Sequence, residues 1–304
     1  MKLSVSFFSG LALFAFSHPL SAGEVISLFT GEIPNSLPHS VEEVVEERNG
    51  EFSGYKGAVN PTLEIVLPKD SGTPTPAVII CPGGGYVRQV YRKEGTDIAK
   101  VYADNGVAAF ILKYRIPNDE TMKDKSIGAL QDAQQAIKLV RENAMEWNVD
   151  PKKVGIMGFS AGGHVASTAA THFKKSYIPN PEETSLRPDF AILIYPVVSM
   201  QEEITHTGSR TNLLGEDPEE SQVTLFSNEL QVDAETPPTW LTHAGDDGPV
   251  PVANSIRFYE ALIKNGVPAE MHLYPDGGHG FVLKNPAEKW MASIFDWMTR
   301  SEIR

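Results

Sequence analysis

A five-residue turn near the middle of the chain constrains its fold more than any other feature. The segment Gly158-Phe159-Ser160-Ala161-Gly162 follows a β-rich apolar run, 153–159, and precedes a segment with helical character. A serine between two such glycines is typical of a sharp strand-to-helix turn, because a Cβ at either glycine would crowd the neighbouring backbone. Such a turn lifts the serine hydroxyl above a sheet, at a helix N-terminus that favours developing negative charge. We interpret Ser160 as a nucleophile; the alternative is a tight turn in which this serine only caps the helix.

The segments on either side of this turn predict an α/β protein. Short β-rich segments alternate with helical ones, and several are continuously apolar, as are strands covered by helices on both faces. The predicted strands are 62–67, 76–81, 107–114, 153–159, 189–196, 238–244 and 269–275. Apolar stripes and flanking Pro and Gly residues predict helices over 126–141, 251–265 and 286–299. The alternation predicts a doubly wound, mostly parallel sheet in one domain over residues 23–304.

Two stretches interrupt this alternation. Residues 23–60 are rich in Gly, Pro, Asn and Glu and show little periodicity, which predicts an N-terminal arm and loops. Residues 199–236 carry many acidic residues and little periodicity directly after a predicted strand. A break of that length within an α/β domain is more often functional than accidental. We therefore expect residues 199–236 to form a short cap-like insertion that shapes the site.

Charge and cysteine content exclude several classes of protein. The sequence has 26 Lys and Arg residues and 39 Asp and Glu residues, so the formal charge is 26 − 39 = −13. A chain this acidic is a poor partner for nucleic acid or for an anionic membrane surface. The single cysteine permits no internal disulfide, and the absence of a CxxC pair excludes thiolate zinc clusters.

The N-terminal residues 1–22 differ from the rest of the chain. Lys2 precedes an apolar run that is shorter than the about 20 residues of a membrane span, and Ala22 is available before a cleavage site. These features predict a signal peptide over residues 1–22, with an uncleaved anchor as the alternative. We expect a secreted or periplasmic bacterial protein with no stable membrane insertion after cleavage.

A run of three glycines, Gly83–Gly85, follows an early predicted strand. Such a run costs chain entropy, and it is useful where backbone N–H groups must approach a ligand closely. Lipases and esterases carry an HGGG segment at this place for an oxyanion hole, although here the first residue is Pro82, which has no N–H to donate. We predict that the N–H groups of Gly84, Gly85 and Ala161 form the hole. The alternative is a flexible turn or a phosphate loop, and no G-K-[ST] follows to make a Walker motif.

A carboxylate and a histidine complete a candidate catalytic triad. Asp246 and Asp247 follow one predicted strand and His279 follows the last one, so both segments lie where open α/β sheets place their sites. Asp247 stands three residues before Val250, a spacing usual for the acid in folds of this kind. We therefore favour Asp247 as the acid that orients His279, with Asp246 bracing the loop. The chain order Ser160, Asp247, His279 differs from the order in two unrelated protease families.

Four other residues with reactive side chains are interpreted as structural. His164 lies on the helix after the nucleophile, His243 and His272 lie within strands, and Cys81 ends an apolar strand without a basic neighbour. A metal site at residues 243–247 has no HExxH or EF-hand pattern behind it. We expect neither a metal nor a cofactor.

The glycine run, the nucleophile turn, the acid and the base together resemble the α/β-hydrolase esterases. The likeness is more specific to bacterial acetylxylan esterases and bifunctional feruloyl/acetyl-xylan esterases, and it lies in the segments 205–215, 236–247 and 270–281. It spans roughly residues 55–300 in spacing. The resemblance implies an α/β-hydrolase fold and hydrolysis of acetyl and other small acyl groups from xylan-type polysaccharide or oligosaccharides. Relatives of this kind often carry the name xylanase, yet glycosidic cleavage needs a flanking pair of carboxylates, whereas these motifs predict acyl transfer.

The motifs thus predict a secreted serine carboxylesterase that acts on an acetylated polysaccharide or oligosaccharide through an acyl-enzyme. Two alternatives retain the triad. One is a general small-ester carboxylesterase, and the other is a prolyl-oligopeptidase-like peptidase, whose relatives carry a large extra domain that 304 residues do not accommodate. A third alternative is a catalytically inactive carbohydrate-binding protein of this fold, although every triad position is filled.

Overall fold

A central sheet with helices on both faces organises residues 23–69 and 72–304, the ranges that the computed structural model describes. The strands of these ranges are β1 (Glu24–Ser27), β2 (Val44–Arg48), β3 (Glu51–Lys56), β4 (Thr62–Val66), β5 (Thr75–Cys81), β6 (Arg88–Gln89), β7 (Ala108–Lys113), β8 (Val149–Phe159), β9 (Ala191–Ile194), β10 (Thr239–Ala244) and β11 (Ala269–Tyr274). The α-helices are α1 (Asp97–Asp104), α2 (Gly128–Glu142), α3 (Ser160–Thr171), α4 (Thr207–Leu214), α5 (Glu220–Leu225), α6 (Ala253–Lys264) and α7 (Ala287–Arg300). A π-helical turn, Arg92–Thr96, leads into α1, and 3-10 turns lie at Asn228–Leu230 and Phe281–Lys284.

The central sheet is mostly parallel, as predicted. Its order in the described residues is β1-β4-β7-β5-β8-β9-β10-β11, with β1, β4 and β7 joined by antiparallel pairs and the remaining pairs parallel. The carboxyl ends of β5, β8, β10 and β11 therefore share one edge of the sheet. In the register of β5 and β8, Cys81 pairs with Gly158, so the glycine run after β5 begins beside Ser160.

Apolar side chains from helices on both faces bury the sheet. Ile137 of α2 and Phe258 of α6 lie in the core on one face, while Ile98 of α1 and Ile294 of α7 lie in the core on the other. Burial of the apolar surface of these side chains stabilises the layers by about 25 cal/mol per Å² and is the main favourable contribution to the folding free energy. The doubly wound α/β fold class is confirmed, and the helices predicted over 126–141, 251–265 and 286–299 are α2, α6 and α7.

The prediction of an arm and loops for residues 23–60 is wrong in part. β1 pairs with β4 at one edge of the central sheet, and β2 and β3 join β6 in a small separate sheet. β1 and β2 lie at sheet edges, where Val25, Val44 and Val45 remain exposed, and β3, between β2 and β6, is only partly buried. Their sequences therefore lack the continuous apolar runs that identify a buried strand.

Residues 199–236 contain α4, α5 and the turn Asn228–Leu230. Two kinds of contact fix this segment to the rest of the domain. Leu213 of α4 is buried in the core. Asn228 donates hydrogen bonds to the hydroxyls of Ser167 (2.8 Å) and Thr168 (3.0 Å) on α3. Residues 199–236 thus form short helices fixed to α3, the helix that begins at Ser160.

The predicted signal peptide, residues 1–22, lies outside the described residues. The first strand of the sheet, β1, begins at Glu24. In the ranges that are described, no helix combines the length and apolar character needed to cross a membrane.

Candidate active site

Ser160 lies at the turn between β8 and α3, with a backbone φ of +51°. That left-handed conformation costs a non-glycine residue about 1–2 kcal/mol. The turn depends on its two glycines: a Cβ on Gly158 would lie 2.0 Å from the carbonyl oxygen of Gly162, and a Cβ on Gly162 would lie 2.1 Å from that of Cys81. The predicted crowding at both glycine positions is therefore present in the structure.

The structure brings the three predicted triad residues together. Nε2 of His279 lies 2.9 Å from Oγ of Ser160, and Nδ1 of His279 lies 2.7 Å from Oδ2 of Asp247. Because a carboxylate only accepts hydrogen bonds, the imidazole hydrogen is assigned to Nδ1, which leaves the Nε2 lone pair facing the serine hydroxyl. This is the arrangement in which a histidine can take the proton of a nucleophilic serine.

The two neighbouring aspartates have different partners. Asp246 accepts hydrogen bonds from the N–H groups of Gly277 (3.1 Å) and Gly278 (2.7 Å), directly before His279. These hydrogen bonds, that of Gly278 first, lower the pKa of Asp246. Asp246 therefore holds the loop that carries the histidine, and Asp247 contacts the histidine ring itself.

Asp247 has a second histidine beside it. Nε2 of His243 lies 3.2 Å from Oδ2 of Asp247 and 3.0 Å from the carbonyl oxygen of Val250, while Nδ1 lies 2.8 Å from Oγ of Ser255. Burial opposes ionisation of Asp247, but hydrogen bonds from His243, His279 and the Val250 N–H outweigh it and hold the pKa of Asp247 well below its usual range. The interpretation of His243 as structural is thus incomplete, because its ring also contacts the acid.

Gly83, the first residue of the glycine run, lies directly beside Ser160. A Cβ on Gly83 would lie 2.9 Å from Cβ of Ser160, and Gly84 and Gly85 have φ values of +139° and +66° that favour glycine. Within residues 23–69 and 72–304, the N–H groups of Gly84 and Gly85 donate to no other group. Ala161 lies in the first turn of α3, where N–H groups have no intrahelical acceptor. The three N–H groups predicted for an oxyanion hole therefore have no other acceptor in the described ranges, and their role stays a prediction.

Glu94, which no sequence pattern indicated, connects the glycine run to the histidine. Its buried carboxylate accepts hydrogen bonds from the Gly83 N–H (2.6 Å) and from the Tyr195 hydroxyl (2.9 Å). The Tyr195 ring packs edge-on against His279, with ring centroids 4.8 Å apart. Burial raises the pKa of Glu94, although the two hydrogen bonds oppose that effect. Glu94 lies in the π-helical turn before α1, eleven residues after Gly83, at a spacing that matches no regular motif.

His164 and Cys81 are structural, as predicted. The buried ring of His164 lies 2.8 Å from the Tyr86 hydroxyl at Nδ1 and 2.8 Å from the Phe226 carbonyl oxygen at Nε2, and burial lowers its pKa to about 4. Burial raises the pKa of the Cys81 thiol. On β11, Nε2 of His272 lies 2.8 Å from Oε1 of Glu270. Among the described residues, no group of three or more His, Cys, Asp or Glu side chains is placed to hold a metal ion.

The mostly parallel sheet, the strained serine turn and the Ser160–His279–Asp247 arrangement define an α/β-hydrolase. Residues 63–262 match the BD-FAE family, and the chain belongs to that family. The predicted resemblance to acetylxylan esterases of this fold is confirmed.

Three proteins illustrate the relationship. Endo-1,4-beta-xylanase B of Butyrivibrio fibrisolvens is 36% identical over 247 residues, which are 80% of this chain and 38% of that protein. An acetylxylan esterase of Xylanibacter ruminicola is 37% identical over 209 residues, which are 67% of this chain and 41% of that protein. The chain thus spans about two fifths of the length of these relatives. The crystal structure of an acetyl ester-xyloside bifunctional hydrolase from Caldicellulosiruptor lactoaceticus superposes with a TM-score of 0.75 at 35% identity, over 91% of this chain and 98% of that one.

Proposed function

We propose that this chain is a serine carboxylesterase that removes acetyl groups from a xylan-type polysaccharide or its oligosaccharides. The observation that carries the proposal is the unbroken hydrogen-bond path from Ser160 through His279 to Asp247, with distances of 2.9 and 2.7 Å. The substrate class rests on the relatives, one named an acetylxylan esterase and another an acetyl ester-xyloside hydrolase.

The acylation step uses groups already in place. Oγ of Ser160 attacks the ester carbonyl carbon while its proton passes to Nε2 of His279, and the carbonyl oxygen becomes an oxyanion. The N–H groups of Gly84, Gly85 and Ala161 stabilise that oxyanion. The tetrahedral intermediate then collapses, the bond to the sugar oxygen breaks, and His279 returns the proton to that oxygen, which leaves an acetyl group on Ser160.

Deacylation repeats the sequence with water. Water adds to the acetyl carbon as His279 takes its proton, the bond to Oγ breaks, and Oγ of Ser160 recovers the proton. Asp247 remains ionised throughout, because its three hydrogen-bond donors hold its pKa low. It keeps the His279 ring in the required tautomer and stabilises the imidazolium that forms in each step.

The same residues favour ester over glycosidic cleavage. Glycoside hydrolysis uses two carboxyl groups that flank the scissile bond, one as an acid and one as a base or nucleophile. Both aspartates at this site already have hydrogen-bond partners. Asp246 accepts from the N–H groups of Gly277 and Gly278, and Asp247 accepts from His279. The name xylanase B belongs to a relative of which this chain spans 38%, so it does not assign xylanase activity to this chain.

Export remains part of the proposal. It is supported by the sequence of residues 1–22, with Lys2 before an apolar run and Ala22 before the expected cleavage site. Expression of the full chain in a bacterium, fractionation, and mass measurement of the product test it. An intact N-terminus in the cytoplasmic fraction would contradict export without touching the esterase proposal.

The experiment that tests the activity measures acetate release from acetylated xylan and from 4-nitrophenyl acetate by the wild type and by Ser160→Ala. A fluorophosphonate probe reports nucleophile labelling in the same samples. Ser167→Ala is the matched control, because Ser167 is a buried serine of the same helix whose contacts are His164 and Asn228. We expect release from both substrates and labelling in the wild type and control, and neither in Ser160→Ala.

The other outcomes separate the alternatives. Serine-dependent activity on 4-nitrophenyl acetate alone would retain a general carboxylesterase and contradict the polysaccharide assignment. Absence of labelling in the wild type would contradict the serine mechanism. Cleavage of a prolyl peptide with no acetate release would favour the peptidase alternative.

A further inference from the structure

One histidine beside the site has an unused donor. His206 precedes α4 and caps it: the Ser209 N–H donates to Nδ1 of His206 at 3.2 Å, and the Ser209 hydroxyl lies 2.8 Å from the same atom. Because Nδ1 accepts the backbone hydrogen bond, the hydrogen of the neutral ring is assigned to Nε2. Within residues 23–69 and 72–304, Nε2 of His206 has no hydrogen-bond partner, and the residue is half-buried.

The ring lies against the glycine run that faces Ser160. Cε1 of His206, the ring atom bonded to Nε2, lies 3.7 Å from the position that a Cβ on Gly85 would occupy. Farther along α4, Nδ2 of Asn212 donates to the carbonyl oxygen of Gly85 at 2.8 Å, so the helix is fixed to the same residue. Burial, and after it the charge of His279, lower the pKa of His206 against the opposing charge of Asp247, which agrees with a neutral ring.

The chemistry of the ester indicates which acceptor the Nε2–H group of His206 would contact. An acetyl group offers one acceptor, its carbonyl oxygen, and that atom is held by the N–H groups of Gly84, Gly85 and Ala161 in the proposed mechanism. Its methyl group accepts no hydrogen bond. A further donor beside Gly85 therefore matches the alcohol half of the ester, which in a carbohydrate carries hydroxyl and ring oxygens.

We propose that the Nε2–H group of His206 donates a hydrogen bond to a hydroxyl or ring oxygen of the sugar that carries the acetyl group. This inference rests on the proposed function and makes His206 a specificity-determining residue. A site that hydrogen-bonds a substrate oxygen discriminates against an ester that lacks the oxygen. His206 thereby raises the preference of the enzyme for sugar acetates over aryl acetates.

His206→Asn tests the inference, because Asn is a favoured helix cap but lacks the reach and the Nε2–H of histidine. His206→Ser, another favoured cap, is a second variant should the first unfold. Ser209→Ala is the matched control, since it removes the hydroxyl beside Nδ1 while the backbone cap and Nε2–H remain. The measured quantities are kcat and KM for an acetylated xylo-oligosaccharide and for 4-nitrophenyl acetate.

We expect His206→Asn to lower kcat/KM for the sugar acetate about tenfold, mainly through KM, and for 4-nitrophenyl acetate less than about threefold. Ser209→Ala should leave the ratio of the two kcat/KM values near that of the wild type. Equal losses on both substrates, or no loss on either, would overturn the role of His206 while the wild-type activity upholds the proposed function. Wild type without activity on the sugar acetate would overturn both.

Discussion

His243 and Asp247 form a buried pair in which Nε2 of the histidine lies 3.2 Å from Oδ2 of the aspartate. The same carboxylate oxygen lies 2.7 Å from Nδ1 of His279, on the side of the triad. Asp247 is thus held between two imidazole rings, and only one of them faces the serine. The pair makes His243 a positioning residue that acts through the acid.

Replacement of this second ring should weaken catalysis. His243→Phe removes a hydrogen bond to a charged acceptor, worth about 1.5–3 kcal/mol, so we expect kcat to fall about 10–100-fold. The pKa of Asp247 should rise, and because the carboxylate is the active form, the loss should be greater at acid than at alkaline pH. Ser255→Ala, which removes only the partner of Nδ1, should lower kcat much less; equal losses in both variants would indicate a packing effect.

Asp246 and Asp247 should differ sharply when each is changed to asparagine. Asp247→Asn removes the carboxylate that orients His279, so we expect kcat for 4-nitrophenyl acetate to fall roughly 10³–10⁴-fold. Asp246→Asn weakens the contacts with Gly277 and Gly278 but retains an acceptor, so we expect a loss of about tenfold or less. Steady-state kinetics at one pH decide the matter, and a greater loss in Asp246→Asn would reverse the assignment of the acid.

Gly83→Ala should disable the glycine run. The added Cβ would lie 2.6 Å from the carbonyl oxygen of Phe159 and 2.9 Å from Cβ of Ser160, so the loop must move away from the nucleophile. Displacement of an oxyanion donor costs about 10²–10³ in kcat, and overpacking costs about 1–3 kcal/mol of unfolding free energy. Gly31→Ala, where a Cβ meets nothing within 4 Å, is the control for kinetics and for urea unfolding. Wild-type kcat in Gly83→Ala would contradict the close approach.

The stability of the protein should fall on mild acidification through His164. Its pKa in the fold is about 4, whereas an unfolded histidine has a pKa of about 6.5. Between these values the unfolded chain binds a proton that the folded one does not, so the free energy of unfolding decreases as the pH falls, by up to about 1.4 kcal/mol per pH unit. The contribution is fully present above the unfolded value.

Urea unfolding of the wild type and of His164→Asn at about pH 7 and pH 5 measures this contribution, since the two values straddle the unfolded pKa. The wild type should lose more stability between the two conditions than the variant does. The same loss in both proteins would show that His164 titrates alike in the folded and unfolded chains.

The parts of this structure that the sequence predicts are those with a local signal. The turn around Ser160 needs glycine at two fixed positions, and the buried strands need continuous apolar runs, so both are recognisable without any partner. Strands β1 and β2 lack that signal because they lie at sheet edges, and β3, between β2 and β6, lies in the small separate sheet and is only partly buried. The spacing of three residues between Asp247 and Val250 also favours Asp247 over Asp246 as the acid. Only the folded loop, however, shows which carboxylate contacts His279.

Contacts between distant elements have no such signal. The carboxylate of Glu94 accepts hydrogen bonds from Gly83 and Tyr195 because the π-helical turn places it beside the glycine run. His243 is indistinguishable in the sequence from a buried strand residue, since its contact with the acid depends on how the loop after β10 returns. His206 lies in a polar segment without periodicity, and its position beside Gly85 depends on the docking of α4.

The hydrogen bond from Asn212 to the carbonyl oxygen of Gly85 has a consequence for engineering. Exchange of residues 199–236 for a segment without asparagine at position 212 would remove the side chain that fixes the backbone of Gly85, a proposed oxyanion donor. Substrate range and turnover number would then change together in such chimaeras. A library that aims to retarget the enzyme should therefore keep Asn212 constant and vary the exposed positions around it.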